Sequence, residues 1–529
     1  MRVKHIGSVT FLIGSVQGEI MFGAIKSDKS KEKGLDMTNN NNNNNNISDS
    51  KEYTPLDKQK DVDVNEKCGI LTQCMVTCAV MMSSAGCGMP VGYSAILLPQ
   101  LSHDNETIHI DDEQGSWIAS IHSAATPFGS ILSGILMDAY GRRFTLQVAS
   151  FPLIIGWFLI GFSPNYLVLL LGRFIAGLST GLTAATGQVL VGEITQPHLR
   201  GILCSLPFAS YSFGILLVYT FGYFLPWRYV AVLSAVLPIL SLLLFFFLPE
   251  SPIWLMRHGR LEEAKQALTW LRGGNVNMAK EEATQIMERM EADQKGDSKI
   301  GVWRTLLRPE VLKPFVIMNM FNLLQILSGT YLVVFYAVDM LKQVESISID
   351  KFLAAVWTAM ARFVFTIVAI FMLSQVGRRS LALTSGIGTS IAALIFASFE
   401  YLNCQKSGQF AAFSILIYVA VNTVGFMILP GVLIGELFPA RIRGFAGGLS
   451  FTIFHFAMFV SAKIFPLIRQ TIGISGVFCI FGISSTLASI FLYLMLPETK
   501  GKTLGEIEDY FRNKNVFWIT RKNKNCGDR

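Results

Sequence analysis

From Ile70 onward, long apolar runs alternate with short polar joints, and most runs approach the ~20 residues that carry an α-helix across ~30 Å of hydrocarbon. Twelve are legible. The first half holds Ile70–Leu98, Trp117–Met137, Phe144–Phe162, Leu167–Leu190, Ile202–Phe224 and Tyr229–Leu248. The second holds Phe315–Leu341, Leu353–Ser374, Leu381–Phe399, Phe413–Ile434, Phe445–Phe465 and Gly476–Leu496. Between them, in Met256–Leu306, Leu261, Ala264, Leu268 and Leu271 recur at helical spacing among charged residues, which predicts short amphipathic helices in water. The first 68 residues differ again. Asn39–Asn46 is an unbroken asparagine run set among Ser, Asp and Lys, and such a tract buries too little apolar surface to order itself. The basic start and modest apolar run of Met1–Ile25 lack a clean cleavage site, so they read as part of this tail rather than a signal peptide.

The pattern predicts an all-α membrane protein. A cytoplasmic tail (1–68) precedes a six-helix bundle (69–255), linker helices (256–308), a second six-helix bundle (309–498) and a C-terminal tail (499–529). Composition agrees: 51% hydrophobic and 15% charged residues exclude an ordinary soluble domain. The net charge of +7 does not point to nucleic acid, because the basic residues recur at the ends of apolar runs. The eight cysteines show no metal or redox spacing and read as small packing residues; nothing looks catalytic, and no cofactor or metal is expected.

Orientation follows from the joints. Arg142/Arg143, Arg200, the linker, Arg378/Arg379 and Arg441/Arg443 fall in alternate connections, whereas the first intervening loop carries Asp104, Glu106, Asp111, Asp112 and Glu113. The positive-inside bias then places both termini in the cytoplasm of a plasma-membrane protein. The sequon at Asn105 falls outside, where glycosylation can occur, and the match at Asn46 falls inside and idle.

The chain also repeats itself. Gly192–Gly201 reads GEITQPHLRG and Gly435–Gly444 reads GELFPARIRG; GRR occurs at Gly141 and Gly377, and PES at Pro249 answers PET at Pro497. The three pairs are offset by 243, 236 and 248 residues, so one half-chain is written twice, a common plan of membrane transporters. Charges at span ends need partners. Asp138, Arg142, Arg143, Arg173, Glu193 and Arg200, with Arg378, Arg379, Glu436 and Arg443 in the second half, are expected to pair across helices at the cytoplasmic face. There they would hold the two bundles together while the inside is shut. Read only as topology signals, the arginine pairs make sense; Glu193 and Glu436 do not.

The set of GRR preceded by an Asp, GRFIAGLSTG, the two E-x6-RG frames, PESPIWL, QILSG and PETKGKTL resembles the sugar porter family of the major facilitator superfamily across about residues 70–510. The runs GCGMPVGYSAILLPQL and EQGSWIASIHSAATPFGS resemble its insect facilitated trehalose transporters most. The resemblance implies a sugar site between the halves served by alternating access in a functional monomer. It also implies that the ion pairs, with Glu250, form the cytoplasmic gate. Gln325, Ser328, Tyr331, Tyr336, Asn322 and Arg362 are expected to line the site.

Departures from the family pattern bear on the cargo. Ile326 and Tyr331 replace a Gln and an Asn of the seventh span, Phe208 a Gln of the fifth, and Gly431 a Trp of the tenth; Thr423 stands where that span often has an acid. Hydroxyls left unpaired in a dry site cost ~1–3 kcal/mol each, so glucose is not assumed. Arg362 occupies an Asn position mid-span, where a charge is expensive; it reads as a substrate contact, a partner for an anion or carboxylate, or an internal bond to carbonyls of a broken helix. Ser374 replaces an acid ahead of the second GRR and weakens the gate there. Proton-driven relatives carry an Asp after the Gly-Tyr of the first span; here Ser94 follows Gly92 and Tyr93, and a hydroxyl does not titrate near neutrality. Tyr336 matches an aromatic of the family's outer gate. The expected function is facilitated sugar transport, of trehalose or a hexose. The alternatives are a proton-coupled symporter, an organic-anion carrier and a non-transporting sugar sensor.

Overall fold

The computed structural model describes residues 55–102, 108–295, 306–338, 340, 351–402, 408–439, 442–502 and 504–512. Asn105, Arg441 and nearly all of the asparagine-rich tail fall outside them, as do the side chains of Ser374 and Arg443. Every regular element among the described residues is helical, as a bilayer demands of any chain that is not a closed barrel, because lipid offers no partner for a free N–H or C=O.

Ten helices are long and apolar enough to cross a membrane. Two details turn ten into the expected twelve. The run Arg443–Met495 is broken at Gly473, whose backbone (φ 68°, ψ 178°) is not helical, so it is two crossings, 443–472 and 474–495. Asp112–Tyr140 is the other, 29 residues long and polar on its inner face, where Ser116, Ser120, His122, Ser123 and Thr126 are buried. The crossings are therefore α1 (Lys67–Leu101), α2 (Asp112–Tyr140), α3 (Arg142–Gly161), α4 (Tyr166–Ile194), α5 (Leu206–Phe224), α6 (Trp227–Phe247), α7 (Pro309–Leu327), α8 (Lys351–Gln375), α9 (Arg378–Tyr401), α10 (Phe413–Leu437), α11 (443–472) and α12 (474–495).

Local chemistry sets where these helices begin. Asp111 closes a capping box with Gln114 at the start of α2, and Asn165 accepts the Val168 N–H at 3.0 Å at the start of α4. Neighbours approach closely where side chains vanish: a Cβ on Gly177 or Gly181 of α4 would lie 2.2 Å from a carbonyl oxygen of α2. Two crossings are irregular. α7 stops at Leu327, turns through Gly329 (φ +84°) and resumes as Leu332–Phe335, while α10 contains a π turn over Thr423–Met427.

The halves meet along α2 with α11 and α5 with α8. The linker helices Pro252–Arg257, Leu261–Leu271 and Val276–Lys295 form as expected and dock on the first half. Buried Arg272 ties them there, holding Glu282 through two 2.7 Å bonds and the end of α4 through the Ile194 carbonyl at 3.2 Å. Leu504–Arg512 docks on the second half, where Arg512 donates to Glu310 at 2.9 Å.

Candidate functional site

The two GRR turns lie at one end of the molecule, the basic face, and build the same corner twice. In the first half Arg142, 3% exposed, donates through Nη2 to Glu193 Oε1 at 3.0 Å and through Nη1 to the Met137 carbonyl at 2.9 Å. The Glu250 carboxylate accepts the backbone N–H groups of Arg142 (2.8 Å), Arg143 (3.0 Å) and Ser251 (2.8 Å), which satisfies donors that the start of α3 leaves open. The Ser251 hydroxyl donates to Glu193. In the second half Arg378 donates through Nη2 to Glu436 Oε1 at 2.8 Å and through Nη1 to the Leu373 carbonyl at 3.1 Å. Glu498 accepts the N–H groups of Arg378 (2.9 Å), Arg379 (3.2 Å) and Lys500 (3.0 Å), and Thr499 donates to Glu436 at 2.6 Å. Arg143 and Arg379 each turn outward onto carbonyls closing the sixth and twelfth crossings, Phe245 at 2.6 Å and Tyr493 at 2.6 Å.

The structure places the predicted gate charges as follows. The Arg142–Glu193 and Arg378–Glu436 pairs each close inside one half while the halves are joined at the opposite end, because each Glu ends a helix packed beside its own GRR turn. Arg173 is not at this face: twenty residues of α4 separate it from Glu193, about 30 Å at 1.5 Å per residue. It is fully buried near the opposite end, donating to the Pro90 carbonyl (2.6 Å), the Ile118 carbonyl (3.2 Å) and the Ser94 hydroxyl. Arg200 is exposed and donates to the Thr195 carbonyl of its own turn at 3.2 Å. Asp138 is 72% exposed and 3.7 Å from Arg142, a weak contact, so little is lost where the second half carries Ser374. Arg443 begins α11; its side chain is outside the described residues.

Midway along the helices, Arg362 of α8 comes to the seam between the halves. It is 3% exposed, donates to the Thr330 carbonyl at 2.8 Å and meets the Met427 sulfur at 3.3 Å. Tyr331, Tyr219, Tyr418 and Tyr211 lie within electrostatic reach of its guanidinium. It lines a small cleft of about 10 Å³ together with Tyr219, Val334, Thr358 and Val419. The expected α7 residues sit around the same break. Ser328 donates to the Gln325 carbonyl at 2.7 Å and Tyr331 packs edge-on against Phe454. Gln325 Oε1 and Asn322 Oδ1 are buried with no hydrogen-bond partner. Tyr336 is a strut here: its hydroxyl donates to the Ala462 carbonyl of α11 at 2.9 Å and its ring stacks on Phe465.

At the acidic end the halves are joined. Lys463 of α11 lies 4.1 Å from the centroid of the Trp117 ring of α2 and donates to Ser116 at 2.7 Å, while Gln470 donates to Asp112 at 3.1 Å. Tyr219 of α5 donates to the Val334 carbonyl beyond the α7 break at 2.6 Å, and Ser212 of α5 bonds Thr366 of α8 at 3.1 Å. The acidic end is shut.

Four residues escaped the sequence reading. Glu498 was signalled by the PES/PET repeat, since Glu250 is its counterpart. Lys463 left no pattern. His122 lies inside the apolar pattern of α2, with Nε2 on Thr180 at 3.1 Å and Nδ1 unpartnered. Asn422, 1% exposed with both amide atoms unpartnered, precedes the π turn, which no local composition marks.

The family model described as Sugar (and other) transporter matches residues 10–511. The facilitated trehalose transporter Tret1 of Apis mellifera ligustica is 31% identical over 444 residues, 83% of this chain and 88% of that one. The Tret1 of Bombyx mori is 30% identical over 462 residues, 86% and 90%. Some relatives are longer: the chain spans 55% of Tret1 of Aedes aegypti. Among solved structures, the major facilitator proton:xylose symporter XylE bound to 6-bromo-6-deoxy-D-glucose superposes with a TM-score of 0.72 at 22% identity, covering 84% of this chain and 100% of that one. XylE from E. coli in its inward-open conformation gives 0.68 at 23%, with 83% and 99% covered. A twelve-crossing fold of two matched halves, with a family model spanning nearly all of it, means that this chain belongs to the sugar transporter family.

Proposed function

We propose that the protein carries a sugar or sugar-like solute down its gradient across the plasma membrane, with the basic face and both termini in the cytoplasm. The observation that carries this reading is the set of polar groups buried without partners inside the spans, Asn322 Oδ1, Gln325 Oε1 and both amide atoms of Asn422, with Arg362 buried at the seam. Buried polar groups without partners are costly, and a solute bearing hydroxyls satisfies them. The likeness to proteins named facilitated trehalose transporters supports a sugar cargo, with a hexose as the smaller candidate. Gln325, Ser328, Tyr331, Asn322 and Arg362 would line the loaded site, and Tyr336 would release it outward by swinging off Ala462.

Alternating access then requires the acidic-end contacts of Lys463, Trp117 and Gln470 to part while the basic faces of the halves approach each other. The corners at Arg142, Arg143, Glu193 and Glu250, and at Arg378, Arg379 and Glu436, would keep each half rigid and present the surfaces that meet, including Arg200 and Arg443. Transport without proton coupling is favoured by Ser94, whose hydroxyl gives Arg173 a neutral partner. The test is uptake of labelled trehalose, glucose and fructose into proteoliposomes. Saturable uptake unaffected by a proton ionophore is expected. Uptake that collapses with the ionophore replaces the facilitated reading with a symporter, and binding without flux replaces it with a sensor.

A further inference from the structure

We propose that the central site takes a carboxylate-bearing sugar, with the carboxylate received by Arg362 and hydroxyls received by the unpartnered amide atoms of α7 and α10. The inference rests on the transport reading above and narrows its cargo. A guanidinium presents five N–H donors and carries a permanent charge. Arg362 has one carbonyl and one thioether, and no carboxylate contacts it among the described residues. The thioether of Met427 is a weak acceptor, so the Nη1 edge is held by the contact an anion would most readily displace. Compare Arg142 and Arg378, which face carboxylates at 3.0 and 2.8 Å, and Arg272, gripped twice at 2.7 Å. Those arginines are neutralised by the protein itself; Arg362 is not, although it is as buried as Arg142 and Arg272.

Arg173, also buried within a span, has no carboxylate contact among the described residues, but all three of its bonding nitrogens reach oxygen acceptors. Arg362 lines a cleft. The break of α7 supplies its Thr330 carbonyl and α10 its Met427 sulfur, and the same two helices carry Asn322 Oδ1, Gln325 Oε1 and both amide atoms of Asn422, all buried with no hydrogen-bond partner. A neutral hexose would meet the amides and leave the charge uncompensated. An organic anion without hydroxyls would do the reverse. A sugar acid answers both demands.

The full chain in proteoliposomes is tested with labelled glucuronate, glucose and trehalose, at zero potential and with an inside-positive potential. Wild-type protein is expected to take up glucuronate saturably, and the positive potential to raise its accumulation because the solute carries net negative charge. Arg362→Asn is expected to lower the ratio of glucuronate to glucose uptake ~10–100-fold, the equivalent of one charge-assisted contact. Arg362→Lys, which keeps the charge, is expected to retain part of the acid uptake. Melting of each variant in detergent, with and without glucuronate, separates lost binding from lost fold. Uptake of neutral sugars alone by the wild type, unaffected by glucuronate, overturns the acid assignment and leaves the transport reading standing. Uptake of none of the three, with no glucuronate-induced melting shift, overturns both.

Discussion

At the scale of single residues, charges at the basic face differ in what they contribute, and burial decides which matter. Arg142 is nearly inaccessible and its acid partner Glu193 is 14% exposed, whereas Asp138 is 72% exposed and farther from the same guanidinium. Removing one member of a buried pair leaves the other uncompensated and costs ~3–5 kcal/mol, against less than ~1 kcal/mol for an exposed contact. Glu193→Ala should therefore lower the melting temperature in detergent by several degrees, and Asp138→Ala should leave it nearly unchanged; equal shifts would refute this ranking. The pairing itself is testable by charge reversal. A Glu436→Arg variant that has lost uptake should recover with Arg378→Glu and stay inactive with Arg200→Glu. Recovery in the second case would show that the pair forms across the halves, as the sequence suggested. The repeated motifs exposed which residues matter here, but a motif gives no distance, and only the packing of each Glu beside its own GRR turn shows where the bond closes.

At the scale of helices, the joints are more specific than the spans. The apolar runs announced all twelve crossings, because length and hydropathy are properties of contiguous sequence. The break at Gly473, the turn at Gly329 and the π turn of α10 depend on how neighbours pack, and single residues inside apolar runs give little notice of them. That is why Asn422 was overlooked while Thr423, one residue on, was singled out. Arg173 shows a different failure: its place near the start of the fourth span is legible, yet its charge was grouped with those at the span's other end. At the GRR turns, Gly141 has φ +102°, and a Cβ there would lie 2.4 Å from Glu250 Oε2; Gly377 has ordinary φ −65°, with 2.2 Å to Glu498 Oε2. Both substitutions by Ala crowd the carboxylate that caps the next helix, but only Gly141→Ala adds backbone strain, of order 1–3 kcal/mol. Its melting temperature should fall below that of Gly377→Ala.

For the molecule as a whole, the polar contacts described across the seam at the acidic end are each worth little: a cation over an aromatic ring contributes about 0.5–2 kcal/mol. A closure that must reverse in every cycle cannot be much stronger. Replacing Trp117 by Ala should raise, ~2–10-fold, the rate at which a membrane-impermeant maleimide reaches a cysteine placed at Thr358, on the wall of the central cleft. Joining cysteines at Ser116 and Lys463 with a short reducible cross-linker should abolish uptake, and reductant should restore it; full uptake while cross-linked would exclude opening at this end.

The corners have one more consequence. Since the Glu250 and Glu498 carboxylates each weld the start of one helix to the end of another within the same half, each half builds its corner of the basic face, among the described residues, from its own helices. Each is a self-contained casting, mated to its twin along the seams of α2 with α11 and α5 with α8. A hybrid assembled from the halves of two relatives and joined through the linker would have to match only along those seams, so cargo preference can be exchanged by lineage or by design without rebuilding the machine that moves it.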